Sequence, residues 1–289
     1  MLSTDRSQQI VRVERDYMPA DYNALAYTED LSIVGANVAL KSGTLSYSFR
    51  DTTFSRSDTS RYNWPLHGYV LNSFKPEYGK SYQISVKSAQ YGAATGTVLV
   101  PAKPLLSLEA ASYAILDDPI QNPGEASILF PVTCGMNTKA YIARLFVEYD
   151  VLKDGEWIAE RAEIPVGYKY SGLRDFNYLS YGTLIPVPLN RNTVGTYKNE
   201  LYSKKLAMLA YQTYFSTRII FNRVVFQILQ VDLNLYGYYL TVHAYNDPHS
   251  TRLDEPMYSN VLKGEGFVGA YTLDSLVHVL PEGFGFNKR

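Results

Sequence analysis

The sequence lacks several features that would indicate a function directly. Cysteine occurs once, at Cys134, so no internal disulfide can form, and the apolar residues around it predict a small buried side chain. No apolar run reaches the ~18 residues that a transmembrane helix requires. Positive charge is not in excess either, because 27 Lys and Arg face 28 Asp and Glu. With no basic run in the chain, nucleic acid is not an expected partner.

A signal peptide is also missing from the start of the chain. The first 20 residues carry six charged side chains, namely Asp5, Arg6, Arg12, Glu14, Arg15 and Asp16. An export signal needs an apolar core of about 7–15 residues. The residues therefore predict either a cytoplasmic protein or one whose export segment is not part of this chain.

Tyrosine is the abundant residue, with 26 copies among 289 residues. It is typical of strands and interfaces, where the ring packs and the hydroxyl stays hydrated, so we expect half-buried tyrosines on sheets. A hydrophobic content of 46% with 19% charged residues excludes long disorder. The length predicts two domains of roughly 100–200 residues each.

Short alternating segments fill the first hundred residues. They lie at residues 10–14, 36–41, 44–49, 67–71, 81–87 and 94–100, with Gly or Pro between several of them. This spacing predicts an antiparallel β-sandwich, and Ser42-Gly43 predicts a tight hairpin between the second and third segments. Residues 51–65 are polar and have no periodicity, so they predict an exposed loop.

The best domain boundary is Val100–Pro104, where two prolines favour a stiff, extended connector. We expect a mainly β protein of two immunoglobulin-like or fibronectin-like antiparallel sandwich modules. The first covers residues 1–102, and the second, with one or two helices inserted, covers residues 103–289.

The second module has its own strand and helix patterns. Residues 126–132, 140–150, 157–164 and 219–231 are typical of strands, residues 198–215 of a helix, and residues 233–245 fit either. The turn Asp154-Gly155 predicts a hairpin between the second and third of these strands.

Five short motifs follow one another along the chain, namely Gly35–Val38, Tyr78–Ile84, Val100-Pro101, Glu255–Asn260 and Gly264–Tyr271. The order of these motifs resembles that in a family of Bacteroidota cell-envelope lipoproteins that is catalogued as a domain of unknown function. The last two resemble the closing signature E-P-x-x-x-S-N and G-x-G-x-F-G-A-Y of that family, with Phe267 and Val268 in swapped order. The resemblance spans roughly residues 10–275 and is weak over residues 105–215.

The resemblance implies an outer-membrane-anchored or periplasmic protein. Members normally begin with a signal peptide that ends at a lipid-modified cysteine, and this chain has no cysteine near its start, so the lipid anchor is an inference. It further implies that the chain helps a TonB-dependent transporter to take up a nutrient, or assembles with other surface proteins. We therefore expect a non-catalytic binding or accessory protein without a cofactor.

The segment Gly264–Gly269 satisfies the dinucleotide pattern G-x-G-x-x-G. That fingerprint needs a preceding strand, a following helix and an acidic residue about 20 positions later. A polar loop precedes it here, and only 20 residues follow it. The pattern instead predicts a strand or bulge where the backbone approaches a neighbouring element closely.

Candidate metal ligands are sparse. A facial metal site could use His243, Asp247 and His249, and a calcium site could use Asp117, Asp118 and Glu125. Both sets lack the spacing of an established metal motif, and they are more typical of sheet-surface and turn residues. We expect no metal site.

Candidate catalytic residues are equally sparse. The carboxylate pairs Asp117-Asp118 and Asp254-Glu255 each lie within two residues of a proline, which is typical of turns. A glycoside hydrolase would need two carboxyl groups facing each other across a cleft, and it remains the most distant alternative. No nucleophile motif accompanies Cys134.

The tyrosine-rich segment 165–192 is the expected binding surface. Its candidate residues are Tyr168, Tyr170, Tyr178 and Tyr181. Loops at the end of a sandwich commonly carry recognition, and Tyr with Asn, Ser and Gly is typical of recognition surfaces. A carbohydrate- or peptide-binding module is therefore the alternative function. A tyrosine-lined seam between the two domains fits the same residues equally well.

Overall fold

The computed structural model describes residues 1–15, 30–57, 64–170, 176–179, 185–186, 192–212, 218–243 and 258–287. Within these ranges it describes the backbone alone at residues 167–170, 176–179, 185–186, 212 and 242–243. The described part of the chain is mainly β, as the sequence predicts, and three α-helices accompany the strands.

The strands are β1 (Leu2–Ser3), β2 (Gln9–Val11), β3 (Asn37–Ser42), β4 (Leu45–Ser48), β5 (Arg50–Phe54), β6 (Leu66–Leu71), β7 (Ser81–Ser88), β8 (Gly92–Leu99), β9 (Leu105–Leu106), β10 (Ser127–Thr133), β11 (Ala140–Lys153), β12 (Glu156–Ile164), β13 (Gly167–Tyr170), β14 (Phe176–Leu179), β15 (Ile185–Pro186), β16 (Asn192–Lys198), β17 (Ile219–Val231), β18 (Val261–Leu262) and β19 (Ala270–Val279). The helices are α1 (Ala110–Asp117), α2 (Asn199–Gln212) and α3 (Leu233–His243). No helix in the described ranges has the length and apolar character needed to span a bilayer.

The chain divides into two compact units, each discontinuous in sequence. Unit 1 comprises Met1–Ala102 and Val231–Thr272, and unit 2 comprises Lys103–Gln230 and Leu273–Arg289. The first change of unit falls within the Val100–Pro104 connector. The chain returns to unit 1 at the end of β17 and leaves it again within β19. Residues 231–272, which we expected in the second domain, thus belong to unit 1, because Val268 and Ala270 pack into the core of that unit.

β1 pairs in parallel with the start of β19, where Leu2 lies opposite Ala270. The described residues of unit 1 also form two antiparallel sheets. One has the strand order β18-β8-β7-β3-β4, and the other has the order β2-β6-β5. The predicted hairpin forms between β3 and β4, where Ser42 pairs with Leu45. Its turn is therefore Gly43-Thr44, one residue later than predicted, and Gly43 adopts a φ of 60° that favours glycine.

The prediction of a loop at residues 51–65 was wrong for its first part. Arg50–Phe54 forms β5, and Thr52 pairs with Gly68 of β6. Thr52 and Thr53 are β-branched and suit a strand, and the strand lies at the edge of its sheet, where polar side chains stay hydrated. A polar, half-exposed edge strand shows little hydrophobic alternation, which explains the error.

The core of unit 1 collects inward-facing residues from both sheets. Val38 and Leu40 of β3, Tyr82 and Ile84 of β7, and Tyr69 of β6 are all buried. Alternate residues of a strand point to opposite faces, so the period of two in the sequence becomes one buried and one solvated face.

Unit 2 contains a main sheet with the order β19-β17-β11-β12, to which β15 adds beside β11, and a smaller sheet with the order β16-β10-β9. The predicted hairpin between β11 and β12 is confirmed, with Asp154 and Gly155 at positive φ in its turn. A separate pair of strands, β13 and β14, covers part of the tyrosine-rich segment.

The core of unit 2 is aromatic. The rings of Phe130 and Phe226 stack with their centroids 4.3 Å apart. The predicted helix over residues 198–215 is confirmed as α2, whose Tyr202 is fully buried and donates its hydroxyl hydrogen to the Leu116 carbonyl at 3.2 Å. Burial raises the pKa of Tyr202 far above its usual range. Cys134 is buried here as predicted.

Candidate functional site

A cavity of about 270 Å³ opens in unit 1. Four segments of the chain line it, namely residues 11–14, Ile33, residues 84–96 at the turn between β7 and β8, and residues 261–268. We call the last of these the glycine loop, residues 261–268, since it carries Gly264 and Gly266. Because segments far apart in sequence converge on this cavity, we treat it as the candidate site.

The floor of the cavity is apolar. Ile84 and Val268 are buried, and Val11, Val13 and Val86 are partly buried against the same core cluster. The cavity is therefore an opening onto the hydrophobic core of unit 1. A ligand that fills it gains about 25 cal/mol for each Å² of apolar surface removed from water.

Hydrogen bonds fix the wall formed by Val13 and Ile33. The Ile33 N–H donates to the Val13 carbonyl at 3.0 Å. Tyr69 donates its hydroxyl hydrogen to the Ile33 carbonyl at 2.5 Å and accepts the Ala36 N–H at 2.9 Å. Burial raises the pKa of Tyr69, so the hydroxyl stays protonated and continues to donate at neutral pH.

Small residues let the glycine loop approach β8. A Cβ on Gly96 would lie 2.5 Å from Val268 Cγ2, and one on Gly264 would lie 3.1 Å from the Ala94 Cβ. A Cβ on Gly269 would lie 3.0 Å from the backbone nitrogen of Leu235. Close approach is thus confirmed at Gly264 and Gly269, whereas Gly266 meets no atom within 4 Å and has a φ of 117°, which favours glycine. The segment itself is a loop and not the predicted strand or bulge. The strand β19 follows it, and no helix does.

The side chain of Asn260 closes the base of the glycine loop. Asn260 Nδ2 donates to the Val268 carbonyl at 2.8 Å, and the Val268 N–H donates to Asn260 Oδ1 at 2.7 Å. The Asn260 N–H also donates to the Gly266 carbonyl at 3.1 Å. The amide therefore bonds to both backbone groups of Val268, as a neighbouring strand would.

Helix α3 supports the same loop from its other side. Asn234 Nδ2 donates to the carbonyls of Thr97 and Val268, at 3.1 Å each, and Asn234 Oδ1 accepts the Tyr258 hydroxyl at 3.1 Å. The ring of Tyr238 stacks on Phe267 with centroids 4.0 Å apart. Phe267, which lines the cavity, is thereby held in place.

Asp232 fixes the start of α3 relative to β19. Its Oδ1 accepts the Leu235 N–H at 2.9 Å, as a helix N-cap does, and also the Ala270 N–H at 3.1 Å. Burial raises the pKa of this carboxyl to about 6, although its hydrogen bonds from backbone N–H groups act in the opposite direction. The support of the site therefore contains a group that titrates below neutral pH.

The rim of the cavity is polar and carries both signs of charge. Arg12 forms an ion pair with Glu14 on one side, and Lys263 and Glu265 of the glycine loop line the other side. Tyr91, at the β7–β8 turn, is half exposed at 50%. An apolar floor inside a polar rim is the anatomy of a recognition site.

The structure brings two of the predicted tyrosines together. In the β13–β14 pair, Tyr168 lies opposite Tyr178, and Tyr170 lies opposite Phe176. Tyr181 lies outside the described residues. A binding role for this hairpin stays a prediction.

Of the candidate metal and catalytic residues, Asp117 and Asp118 have different partners. Asp117 Oδ1 lies 2.7 Å from His278 Nε2, and Asp118 Oδ1 accepts the Gln121 N–H at 3.3 Å in the turn after α1. In the described ranges, which include Asp117, Asp118 and Glu125, no three His, Cys, Asp or Glu side chains are grouped to hold a metal. Asp247, His249, Asp254 and Glu255 lie outside those ranges, and His243 ends α3.

Sequence reasoning missed most of the cavity. It found the glycine loop and the motif that contains Asn260, but not Tyr91, Asn234 or the wall at Ile33. The resemblance signature was the only signal that pointed toward this region.

A family model whose description is Domain of unknown function (DUF4249) matches residues 1–276. No curated protein matches the chain.

Proposed function

We propose, from the premise that this chain belongs to the DUF4249 family, that it is a non-catalytic binding protein of the cell envelope. In this proposal, the cavity of unit 1 takes one large apolar side chain of a partner protein. The observation that supports the proposal most directly is the apolar floor, open to the core of unit 1 and framed by residues 261–268.

The size of the cavity favours a single side chain over a larger ligand. Sites for drug-sized molecules usually measure about 300–1,000 Å³, whereas a cavity of about 150 Å³ already binds benzene. At about 270 Å³, the cavity suits one aromatic or long aliphatic side chain. Such anchors, seated in preformed pockets, supply much of the affinity of protein interfaces.

The rim supports a protein partner. Arg12, Glu14, Lys263 and Glu265 place two positive and two negative charges among the residues that line the cavity. A polar rim around an apolar centre excludes water and fixes the register of a bound protein surface. Tyr91, which also lines the cavity and is half exposed, offers contact area at low entropic cost because a tyrosine side chain has only two rotatable bonds.

The proposed location and partner follow from the resemblance of the signature motifs to the Bacteroidota lipoproteins. We propose that the chain acts at the outer membrane or in the periplasm, beside a TonB-dependent transporter or another surface protein. We also propose that the two sheets of unit 1 form an immunoglobulin-like sandwich. Residues from both sheets already share one core.

Affinity purification from the native envelope tests the proposal. Val86 lines the cavity, so Val86→Phe would fill it, whereas Lys87→Phe adds the same ring to the opposite face of β7. We expect an outer-membrane protein to be recovered with the original chain and with Lys87→Phe, and to be lost with Val86→Phe. Equal recovery with all three would refute the role of the cavity.

A second candidate function is binding of a carbohydrate or peptide by the tyrosines of the β13–β14 pair. It is supported by the pairing of Tyr168 with Tyr178. Replacing Tyr168, Tyr170, Tyr178 and Tyr181 by Ala would weaken such binding. Unchanged binding would place the ligand elsewhere.

A further inference from the structure

The main sheet of unit 2 has one face in the core and one face toward solvent. Leu145, Val147 and Tyr149 of β11 belong to the core cluster. Alternate residues of a strand point to opposite faces, so Glu148 and Asp150 lie on the solvent side. We call this side the polar sheet face. It is defined by Arg144, Phe146, Glu148, Asp150 and Leu152 of β11 and by Trp157, Ala159, Arg161 and Glu163 of β12. Asn222 and Arg223 of β17 belong to it because both bond to carboxylates of this face.

The strand register sets the order of side chains on this face. Glu148 pairs with Arg161, Asp150 with Ala159, and Leu152 with Trp157. Side chains directly opposite in an antiparallel pair lie about 5 Å apart. Along β12, the side chains on this face are therefore Arg161, then the small Ala159, then Trp157.

Hydrogen bonds and ion pairs connect the polar side chains of this face. The Arg223 Nε–H donates to Glu148 Oε2 at 2.5 Å, and Arg161 Nε lies 3.7 Å from Glu148 Oε1. Asn222 Nδ2 donates to Asp150 Oδ2 at 2.9 Å. These pairs fix the positions of donors and acceptors before any ligand arrives, which lowers the entropic cost of binding.

Phe146 lies under two of the arginines. The guanidinium carbon of Arg161 is 3.8 Å from the centre of the Phe146 ring, and that of Arg144 is 4.8 Å from it. Arg144 also forms an ion pair with Glu163 at 2.5 Å. The contact with the ring holds both planar guanidinium groups against the sheet.

Charges on the polar sheet face cancel. Three guanidinium groups, of Arg144, Arg161 and Arg223, accompany three carboxylates, of Glu148, Asp150 and Glu163. The face therefore has no net charge to select an ion. Its fixed donors and acceptors instead suit a hydroxyl group, which donates and accepts at once.

The face also has a depression and an aromatic platform. A shallow hollow of about 600 Å³ is lined by Glu148, Asp150, Ala159, Arg161, Asn222 and Arg223, among others. Ala159 leaves room at the centre because it has no long side chain. Trp157, two residues further along the same face, is 47% exposed. An exposed indole presents the electron-rich face that polarised C–H groups of a sugar ring contact.

We propose that the polar sheet face of unit 2 binds a neutral carbohydrate. One sugar ring stacks on Trp157. Hydroxyl groups of the neighbouring sugar units bond to the Asp150–Asn222 and Glu148–Arg161 pairs. The site lies wholly in unit 2, and it does not depend on the function proposed for the cavity of unit 1.

The test uses the purified full chain and calorimetric titration with neutral hexasaccharides of glucose, xylose, mannose and N-acetylglucosamine, with polygalacturonate as an acidic probe. We expect at least one neutral hexasaccharide to bind. Trp157→Ala and Ala159→Leu should each weaken that binding at least tenfold, because one removes the platform and the other fills the hollow. Both positions are exposed, so the fold should be kept.

Ile158→Ala is the matched control. Ile158 is the neighbour of Trp157, is 42% exposed and lies on the opposite face of β12, so its removal should change the affinity less than twofold. Val86→Phe in unit 1 should leave the affinity for the hexasaccharide unchanged. Failure of every neutral hexasaccharide to bind, binding of the acidic probe alone, or unaltered affinity in Trp157→Ala would each overturn the proposal.

Discussion

At the scale of single residues, the side chain of Asn260 explains how the late glycine motif keeps its shape. One primary amide supplies a donor and an acceptor to the two backbone groups of Val268. The amide carries its donor and its acceptor on two separate atoms, so it can bond to the carbonyl and the N–H of one residue together. The resemblance motif that ends in Asn260 thus has a structural reason in the candidate site.

Replacement of Asn260 by Ala should destabilise unit 1. Both Val268 groups would lose their side-chain partner, and a lost hydrogen bond to a partly buried group costs about 1–3 kcal/mol. Urea unfolding measures the effect, with Ser259→Ala at the exposed neighbouring position as the control. An Asn260→Ala variant that unfolds at the same urea concentration as the control would contradict the role assigned to this amide.

Asp232 should make stability depend on pH. Its pKa in the folded chain is raised from 3.8 to about 6 by burial. The protonated form is therefore favoured by folding, and the stabilisation is complete below pH 4 and lost as pH rises through about 6. A rise of about two pKa units corresponds to about 3 kcal/mol.

Asp232→Asn keeps an oxygen to accept the Leu235 and Ala270 N–H groups but cannot ionise. Relative to the original chain, the variant should gain stability between pH 4 and pH 7, as measured by urea unfolding at both values. Since other carboxyl groups titrate in the same range, the comparison is the difference between the two proteins. A difference that stays constant with pH would show that Asp232 keeps an ordinary pKa.

At the scale of elements, Gly269, the residue that follows the glycine loop, approaches α3 so closely that no side chain fits there. A Cβ on Gly269 would lie 3.0 Å from the nitrogen and 3.2 Å from the Cα of Leu235. Since these are backbone atoms, α3 itself would have to move. The loop, the helix and β19 therefore hold one another in place.

Gly269→Ala should destabilise the protein by about 1–3 kcal/mol through this overpacking. Gly124→Ala is the control, because its Cβ would meet Glu200 at an ordinary 3.5 Å. Thermal unfolding ranks the two variants. If Gly269→Ala melted at the same temperature as Gly124→Ala, the contact with Leu235 would not be as close as described.

The elements with strong periodicity were predictable. Six elements follow the predicted segments within a few residues, namely β7, β8, β11, β12, β17 and α2. Their apolar residues recur at the regular spacing of a strand or of a helix. Helix α3 was ambiguous, since Gly237 and the pair Thr241-Val242 oppose a helix; packing of Tyr258 against Gly237 favours it nonetheless. The short helix α1 was not predicted, and its N-cap residue Glu109 makes no side-chain cap hydrogen bond.

At the scale of the whole molecule, local patterns could not reveal the cavity, because folding assembles it from segments far apart in sequence. Val11, Ile33, Tyr91 and Val268 share no motif, yet all line it. The Asp150–Asn222 pair of unit 2 is equally non-local. Fold class and several strands can be predicted from alternation alone, whereas a site built by long-range pairing cannot.

The discontinuity of unit 1 predicts the behaviour of fragments. A fragment of residues 1–102 lacks β18 and the core residues Val268 and Ala270. It should melt at a lower temperature than residues 1–102 joined by a short linker to residues 231–272. Circular dichroism measures both. Identical melting temperatures would show that residues 231–272 add nothing to the stability of the unit.

The central claim is that the cavity of unit 1 seats a side chain of a partner protein. Photo-crosslinking in the native envelope, with benzoylphenylalanine in place of Tyr91 at the cavity rim, measures this most directly. Benzoylphenylalanine in place of Leu45, exposed on β4 and away from the cavity lining, is the control position. We predict a discrete adduct from position 91 that disappears with Val86→Phe, and none from position 45. An adduct that survives Val86→Phe, or no adduct from position 91, would contradict the account.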